Sequence, residues 1–156
     1  MKKNLLATGL LLFAASAVAQ GLNVDSMKVF KSDAIKWGED PSLPKGAKVA
    51  VLVGDPSKAE TFVALIKFPP NYKVQPHIHP AAELITIVSG SLGNGMGEKF
   101  DAKKGEVLKA GASFALPANH AHYVWTTDKQ TVLQLVASGP WGLEYINPAD
   151  DPRKKK

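Results

Sequence analysis

Apolar and polar positions alternate with a period of two along most of the chain, in short runs broken by Gly, Pro, Asn and Asp. Successive side chains of an extended strand point to opposite faces, so such runs read as β-strands with one face buried. The pattern predicts strands over 47–53, 61–68, 73–79, 83–88, 107–109, 113–116, 122–126 and 132–136. Turn signals separate nearly all of them: Gly54-Asp55-Pro56, Pro69-Pro70-Asn71, Ser89-Gly90, Gly93-Asn94-Gly95, Lys104-Gly105, Ala110-Gly111 and Asp128-Lys129. Many short strands at this spacing predict an all-β fold, an antiparallel sandwich or barrel. The run from Leu84 to Val88 is apolar on both faces and predicts a central strand buried on both sides. Residues 20–45 carry the weakest pattern; Met27 to Phe30 is expected as an edge strand, and Ile35-Lys36-Trp37 as a segment across one end of the barrel.

The N-terminus reads differently. Lys2 and Lys3 precede an apolar stretch from Leu5 to Ala15, and Ala17-Val18-Ala19 supplies a small-x-small cleavage pattern before Gln20. Residues 1–19 are expected to be a secretory signal peptide, since a membrane span needs about 20 apolar residues. The chain after cleavage is then secreted or periplasmic, without a membrane anchor. It is expected to form one domain over 20–146 and a polar, basic tail over 147–156, solvated and frayed. The formal net charge is +5, and Lys2 and Lys3 contribute two of those charges. The remainder is too weak to predict nucleic-acid binding. The chain has no Cys, which removes disulfides, thiolate ligands and a thiol nucleophile.

All four histidines of the chain fall in two His-x-His pairs, His77/His79 and His120/His122, each just after a proline-containing corner. On a strand, His77 and His79 project to one side about 7 Å apart, close enough for both imidazoles to converge on one ion. Pro80-Ala81-Ala82 turns the chain, and Glu83 opens the next strand, where its carboxylate can face the pair. A fourth ligand is expected from the second pair. His122 is favoured; His120, inside the corner, is the rival and is expected to be an entrance residue or a support for the ligands. Ile85 and Ile87 share the Glu83 face, Val124 and Thr126 the His122 face, and Tyr123 and Trp125 point the other way. An apolar pocket containing Ile85, Ile87, Val124, Trp37 and Gln134, or Leu133 and Leu135, is expected over the ion. Gln75, Gln134 or backbone carbonyls are expected to hold the second ring nitrogens of the histidines.

These residues resemble the two motifs of the cupin superfamily. The first is Gly, five residues, His-x-His, three or four residues, Glu, six residues, Gly; Asn71, His77, His79, Glu83 and Gly90 stand at its positions. The second is Gly, five residues, Pro-x-Gly, two residues, His, three residues, Asn; Gly111, Pro117, Asn119, His122 and Thr126 stand there. Asn replaces Gly at 71 and 119, and Asn tolerates the left-handed backbone that such corners require. Thr126 in place of Asn has no explanation at the level of sequence. The resemblance implies a small antiparallel double-stranded β-helix, a jelly-roll-like barrel, with the metal inside its mouth and His77, His79, Glu83 and His122 as ligands.

Three imidazoles and a carboxylate suit one divalent ion of Fe, Mn, Co, Ni, Cu or Zn, and the donor set does not choose among them. Two functions are open: a metal-dependent oxygenase-type enzyme acting on a small organic molecule, and a non-catalytic periplasmic module that binds or senses a ligand through the same metal. Glu144, Tyr145 and His120 are candidate acids or bases without an assigned place. The segment from Trp141 to Ile146 is expected either to close the last strand or to reach a second subunit. A homodimer is expected.

Overall fold

The computed structural model describes residues 21–154. The signal segment expected over 1–19 lies outside the described residues, as do Lys155 and Lys156. Ten strands form: β1 (Lys48–Val53), β2 (Thr61–Phe68), β3 (Lys73–Ile78), β4 (Glu83–Ser89), β5 (Ser91–Met96), β6 (Glu106–Lys109), β7 (Ser113–Leu116), β8 (His122–Thr126), β9 (Thr131–Ser138) and β10 (Glu144–Tyr145). They build two five-stranded antiparallel sheets, in the orders β1-β2-β9-β4-β7 and β10-β3-β8-β5-β6. The expected all-β jelly roll is therefore the fold. Among the described residues no helix is long and apolar enough to cross a membrane.

The core lies between the sheets, where period-two alternation sends one face of each strand inward. Phe62, Ala64, Ile66 and Phe68 of β2 are buried, as are Leu133, Leu135 and Ala137 of β9 and Ile85 and Ile87 of β4. β4 is central in its sheet, between β9 and β7. It is not buried on both faces, however: Leu84 and Val88 are 48% and 54% exposed. An antiparallel sheet with no layer stacked behind it leaves its outer face in water even when that face is apolar.

Two corners join the sheets as the Asn-for-Gly exchanges require. Asn71 and Asn119 have φ of 56° and 59°, in the left-handed region. Asn71 N–H donates to the Thr127 carbonyl at 2.6 Å, and Asn119 N–H to the His79 carbonyl at 2.8 Å. The unexplained Thr126 holds the first corner. Its hydroxyl donates to the Pro69 carbonyl at 2.6 Å and accepts from Tyr72 N–H at 2.9 Å, so one buried side chain pairs two backbone groups of the turn.

Several expectations are corrected. Gly93-Asn94-Gly95, read as a turn, is the middle of β5. A Cβ on Gly93 would stand 2.0 Å from the Trp125 ring, and one on Gly95 2.4 Å from the Tyr123 ring. These glycines exist because the aromatic rings of β8 lie flat over β5, under Phe100 of the 97–105 loop. Met27 to Phe30 is exposed and forms no strand. The barrel end is crossed by residues 40–47 instead of 35–37: Tyr72 O–H donates to the Pro44 carbonyl, and Tyr145 O–H to the Ser42 carbonyl at 2.9 Å. The tail does not fray through Lys154. It forms two short 3-10 turns, Pro148–Asp150 and Pro152–Lys154, and Arg153 binds both oxygens of the buried Asp151 and the Leu143 carbonyl.

Gly93→Ala is expected to cost about 1–3 kcal/mol, the usual range for overpacking. The loss should shrink when Trp125→Leu removes the obstructing ring, a comparison that chemical denaturation of the two variants and their combination can make. Thr126→Val, which keeps the shape and removes both hydrogen bonds, should cost a further roughly 1–3 kcal/mol by the same measurement.

Candidate metal centre

His77 reaches the interior because β3 is irregular. Val74 and His77 are both buried although three positions apart, which strict alternation forbids. The register with β8 shifts between Val74 and His77, at Gln75-Pro76, and Pro76 has no N–H for the ladder. This bulge re-aims the strand so that His77 faces inward opposite His122, its partner in the β3–β8 register. His79 follows β3, held where its own carbonyl accepts from Asn119. Glu83 is the first residue of β4, paired with Leu116 of β7 and Ala137 of β9.

The structure brings His77, His79 and His122 together, with one ring nitrogen from each inside a group spanning no more than 4.8 Å. Ring centroids lie 4.9 Å apart for His77 and His79, 4.2 Å for His77 and His122, and 5.3 Å for His79 and His122. All three are buried, as is Glu83. Glu83 stands beside this group and outside its span, with Oε1 3.4 Å from His79 Nδ1. That oxygen accepts from Trp141 Nε1 at 2.5 Å.

Backbone carbonyls, one of the alternatives expected, hold the second ring nitrogens. His77 Nδ1 donates to the Gln75 carbonyl and His79 Nδ1 to the Gly142 carbonyl, each at 2.7 Å. A carbonyl only accepts, so each Nδ1 carries the proton and each Nε2 keeps its lone pair for an ion. The buried His122 Nδ1 makes no hydrogen bond of good geometry, although the His120 and His77 backbone groups act on the ring. Three converging imidazoles, two of them with Nδ1 committed and Nε2 free, fit a cation that the donor set would take up.

Burial sets the charge state. It holds the His77 imidazole well below the usual 6.5, with His122 and His79 adding to the effect. Burial lowers His79 to about 4, and burial together with the neighbouring His79 lowers His122 to about 3. All three are neutral at pH 7, so the His79–Glu83 contact is not an ion pair. Burial pushes the Glu83 carboxyl up to about 7, against the opposing Trp141 hydrogen bond. A divalent ion reverses that balance and favours the carboxylate.

The group opens into a narrow cavity of about 40 Å³, room for an ion with a few waters or a ligand of few heavy atoms. Its wall is Leu43, Ile66, Phe68, Val74, Ile85, Leu92, Val124, Leu133, Leu135, Trp141 and Leu143. Of the expected pocket residues, Ile85 and Val124 line it. Ile87 is buried deeper in the core, outside the wall. Gln134 lies between the inward Leu133 and Leu135 on β9, so its side chain points to the other face of the sheet. Trp37 sits outside the barrel, with Lys67 Nζ 3.9 Å from its ring centroid. His120 is exposed and bonds to the Ala118 carbonyl at 3.0 Å, away from the cavity. Glu144 is exposed too, and the Tyr145 hydroxyl is committed to Ser42.

Sequence reasoning missed Trp141 and Gly142 as parts of the site. The segment containing them closes the barrel within the chain: β10 pairs Tyr145 with His77 and Glu144 with Ile78. The alternation of Leu143, Glu144 and Tyr145, apolar and aromatic positions about a charged one, was the available signal. No spacing rule pointed to the Trp141 hydrogen bond.

The two-sheet jelly roll, with histidines clustered in its interior, is the cupin fold. The chain belongs to the family described as Domain of unknown function DUF4437, which matches residues 15–142. It is similar to germin-like protein 9-2 of Oryza sativa subsp. japonica, 32% identical over 77 residues, covering 49% of this chain and 36% of that protein. The chain thus spans about a third of the length of that curated relative. Among solved structures, the polyketide cyclase RemF from Streptomyces resistomycificus superposes with a TM-score of 0.66 at 20% identity, over 83% of this chain and 92% of that one. An RmlC-like cupin from Shewanella frigidimarina gives 0.56 at 18%, over 72% and 91%.

The pKa shifts set a pH dependence for the protein without a bound ion. Each histidine is depressed on folding, so as pH falls through 6.5 the unfolded chain takes up protons that the folded chain refuses, and stability drops. Glu83 is raised on folding; its contribution is present below 4.5 and lost as pH rises toward 7. Between pH 6.5 and 4.5 three protons on the unfolded side oppose one on the folded side. The protein without a bound ion should therefore lose up to about 3 kcal/mol per pH unit on acidification across that window. Denaturation midpoints across a pH series of the protein without a bound ion test this, and a flat profile contradicts it.

Proposed function

We propose that the protein is a metal-dependent cupin enzyme of the oxygenase type, acting on a small organic molecule with adjacent oxygen donors. The observation that carries this reading is a group of three neutral histidines, with Glu83 beside it, set in an otherwise apolar cavity. His77, His79 and His122, with Glu83 at their side, would hold one divalent transition ion. When bound, the ion would supply Lewis acidity and a meeting point for substrate and oxygen. The protein's own residues do the rest. The apolar wall favours a small, uncharged body, because among the described residues no Lys or Arg lines the cavity to receive a second anionic group. Glu83 would stand beside the ion as a carboxylate, with Oε1 held by Trp141.

A second reading, a non-catalytic module that binds or senses a ligand, draws on one observation. Apart from the histidines and Glu83, the described residues of the cavity wall offer no acid, base or nucleophile. Either function would be carried out after export, for which Lys2, Lys3 and the Ala17-Val18-Ala19 pattern are the support.

Elemental analysis of protein from its native compartment, then oxygen uptake with catechols, diketones and 2-oxo acids, separates the readings. The expected result is about one ion per chain and substrate-dependent uptake. His77→Ala or His122→Ala should lower activity by more than the roughly 10–100-fold typical of residues that only support a ligand. Tight binding without turnover across the panel would establish the second reading, and wild-type protein without metal would sink both. Intact mass of the exported protein should correspond to a chain beginning at Gln20; a retained 1–19 segment contradicts the export proposal.

A further inference from the structure

We propose that Trp141 is the positioning residue of this site, holding Glu83 and His79 in one frame so that the carboxylate is presented to the ion by one oxygen. The inference rests on the metal reading above. Trp141 Nε1 donates to Glu83 Oε1 at 2.5 Å. Its ring stacks on the His79 imidazole, with centroids 5.2 Å apart and planes 17° from parallel, and meets Phe62 edge-on at 6.3 Å.

A glutamate side chain in an apolar cavity has several rotamers and few partners to select one. The Trp141 N–H makes that selection. His79 Nδ1, 3.4 Å from the same oxygen, gives its proton to the Gly142 carbonyl at 2.7 Å instead. With Oε1 engaged, the carboxylate acts through Oε2. The tryptophan is itself anchored to the loop between β1 and β2, since its backbone N–H donates to the Pro56 carbonyl at 2.7 Å. The next residue, Gly142, holds His79. One short segment thus orients a carboxylate through a hydrogen bond and an imidazole through both stacking and a carbonyl.

The test measures cobalt(II) affinity of the full chain by competition with a chromophoric chelator, in wild-type protein, Trp141→Phe, Glu83→Ala and the double variant. Phe keeps an aromatic wall against His79 and removes the N–H. Trp141→Phe should weaken cobalt binding about tenfold, and less than about twofold in the Glu83→Ala background, because the contact acts through Glu83. Its visible cobalt absorption should shift toward that of Glu83→Ala. Equal weakening in both backgrounds, or none, overturns the proposal while leaving the metal reading intact. Failure of the wild-type protein to take up cobalt overturns both. If thermal melts show that Glu83→Ala does not fold, the cobalt spectrum of Trp141→Phe decides alone: a shifted band supports the proposal and an unchanged band overturns it.

Discussion

The structure depends on keeping three imidazoles and a carboxyl group away from water inside an apolar barrel. Burying a polar group without a partner costs on the order of 1–3 kcal/mol, and burying a charge costs more. The interior answers this in two ways. The groups are neutral in the absence of a cation, because burial drives the histidines down and Glu83 up. Part of their hydrogen-bonding capacity is met within the protein, by the Gln75 carbonyl for His77 Nδ1, the Gly142 carbonyl for His79 Nδ1 and Trp141 Nε1 for Glu83 Oε1. Together the three imidazoles form a group that could hold a cation.

Much of the backbone irregularity serves the same end. The bulge at Gln75-Pro76 turns His77 inward, the left-handed Asn119 receives the carbonyl of His79, and Thr126 ties the Pro69–Tyr72 corner to β8. β10 is only two residues long, yet it fastens the Trp141–Gly142 segment beside His77. Arg153 secures that segment from outside through the Leu143 carbonyl and the buried Asp151. Regular strands carry the core, and the interruptions aim the site.

The legible parts were those governed by period and local turn chemistry. β2, β7 and β8 have the boundaries that alternation predicts, and Asn71 and Asn119 adopt the backbone that their tolerance of positive φ suggested. What misled was composition read without neighbours. Glycines 93 and 95 resembled a turn because the rings that require them lie on another strand. Trp37 resembled a pocket wall because a tryptophan invites burial, whereas its partner is Lys67 on the outer face. Leu84 and Val88 resembled a doubly buried strand because an apolar run does not say what covers it.

The sequence by itself determined the all-β architecture and the two His-x-His pairs, because strand periodicity and ligand spacing are local properties of consecutive residues. It also placed Glu83 and His122 on the faces where they are found. Only the tertiary structure decided that His120 stays outside, that Glu83 is held beside the histidine group by Trp141, and that Gln75 acts through its carbonyl rather than its side chain. The Trp141–Glu83 and His79–Gly142 contacts join residues 58 and 63 positions apart along the chain. Contacts of that range form only where the barrel closes, and no local pattern encodes them.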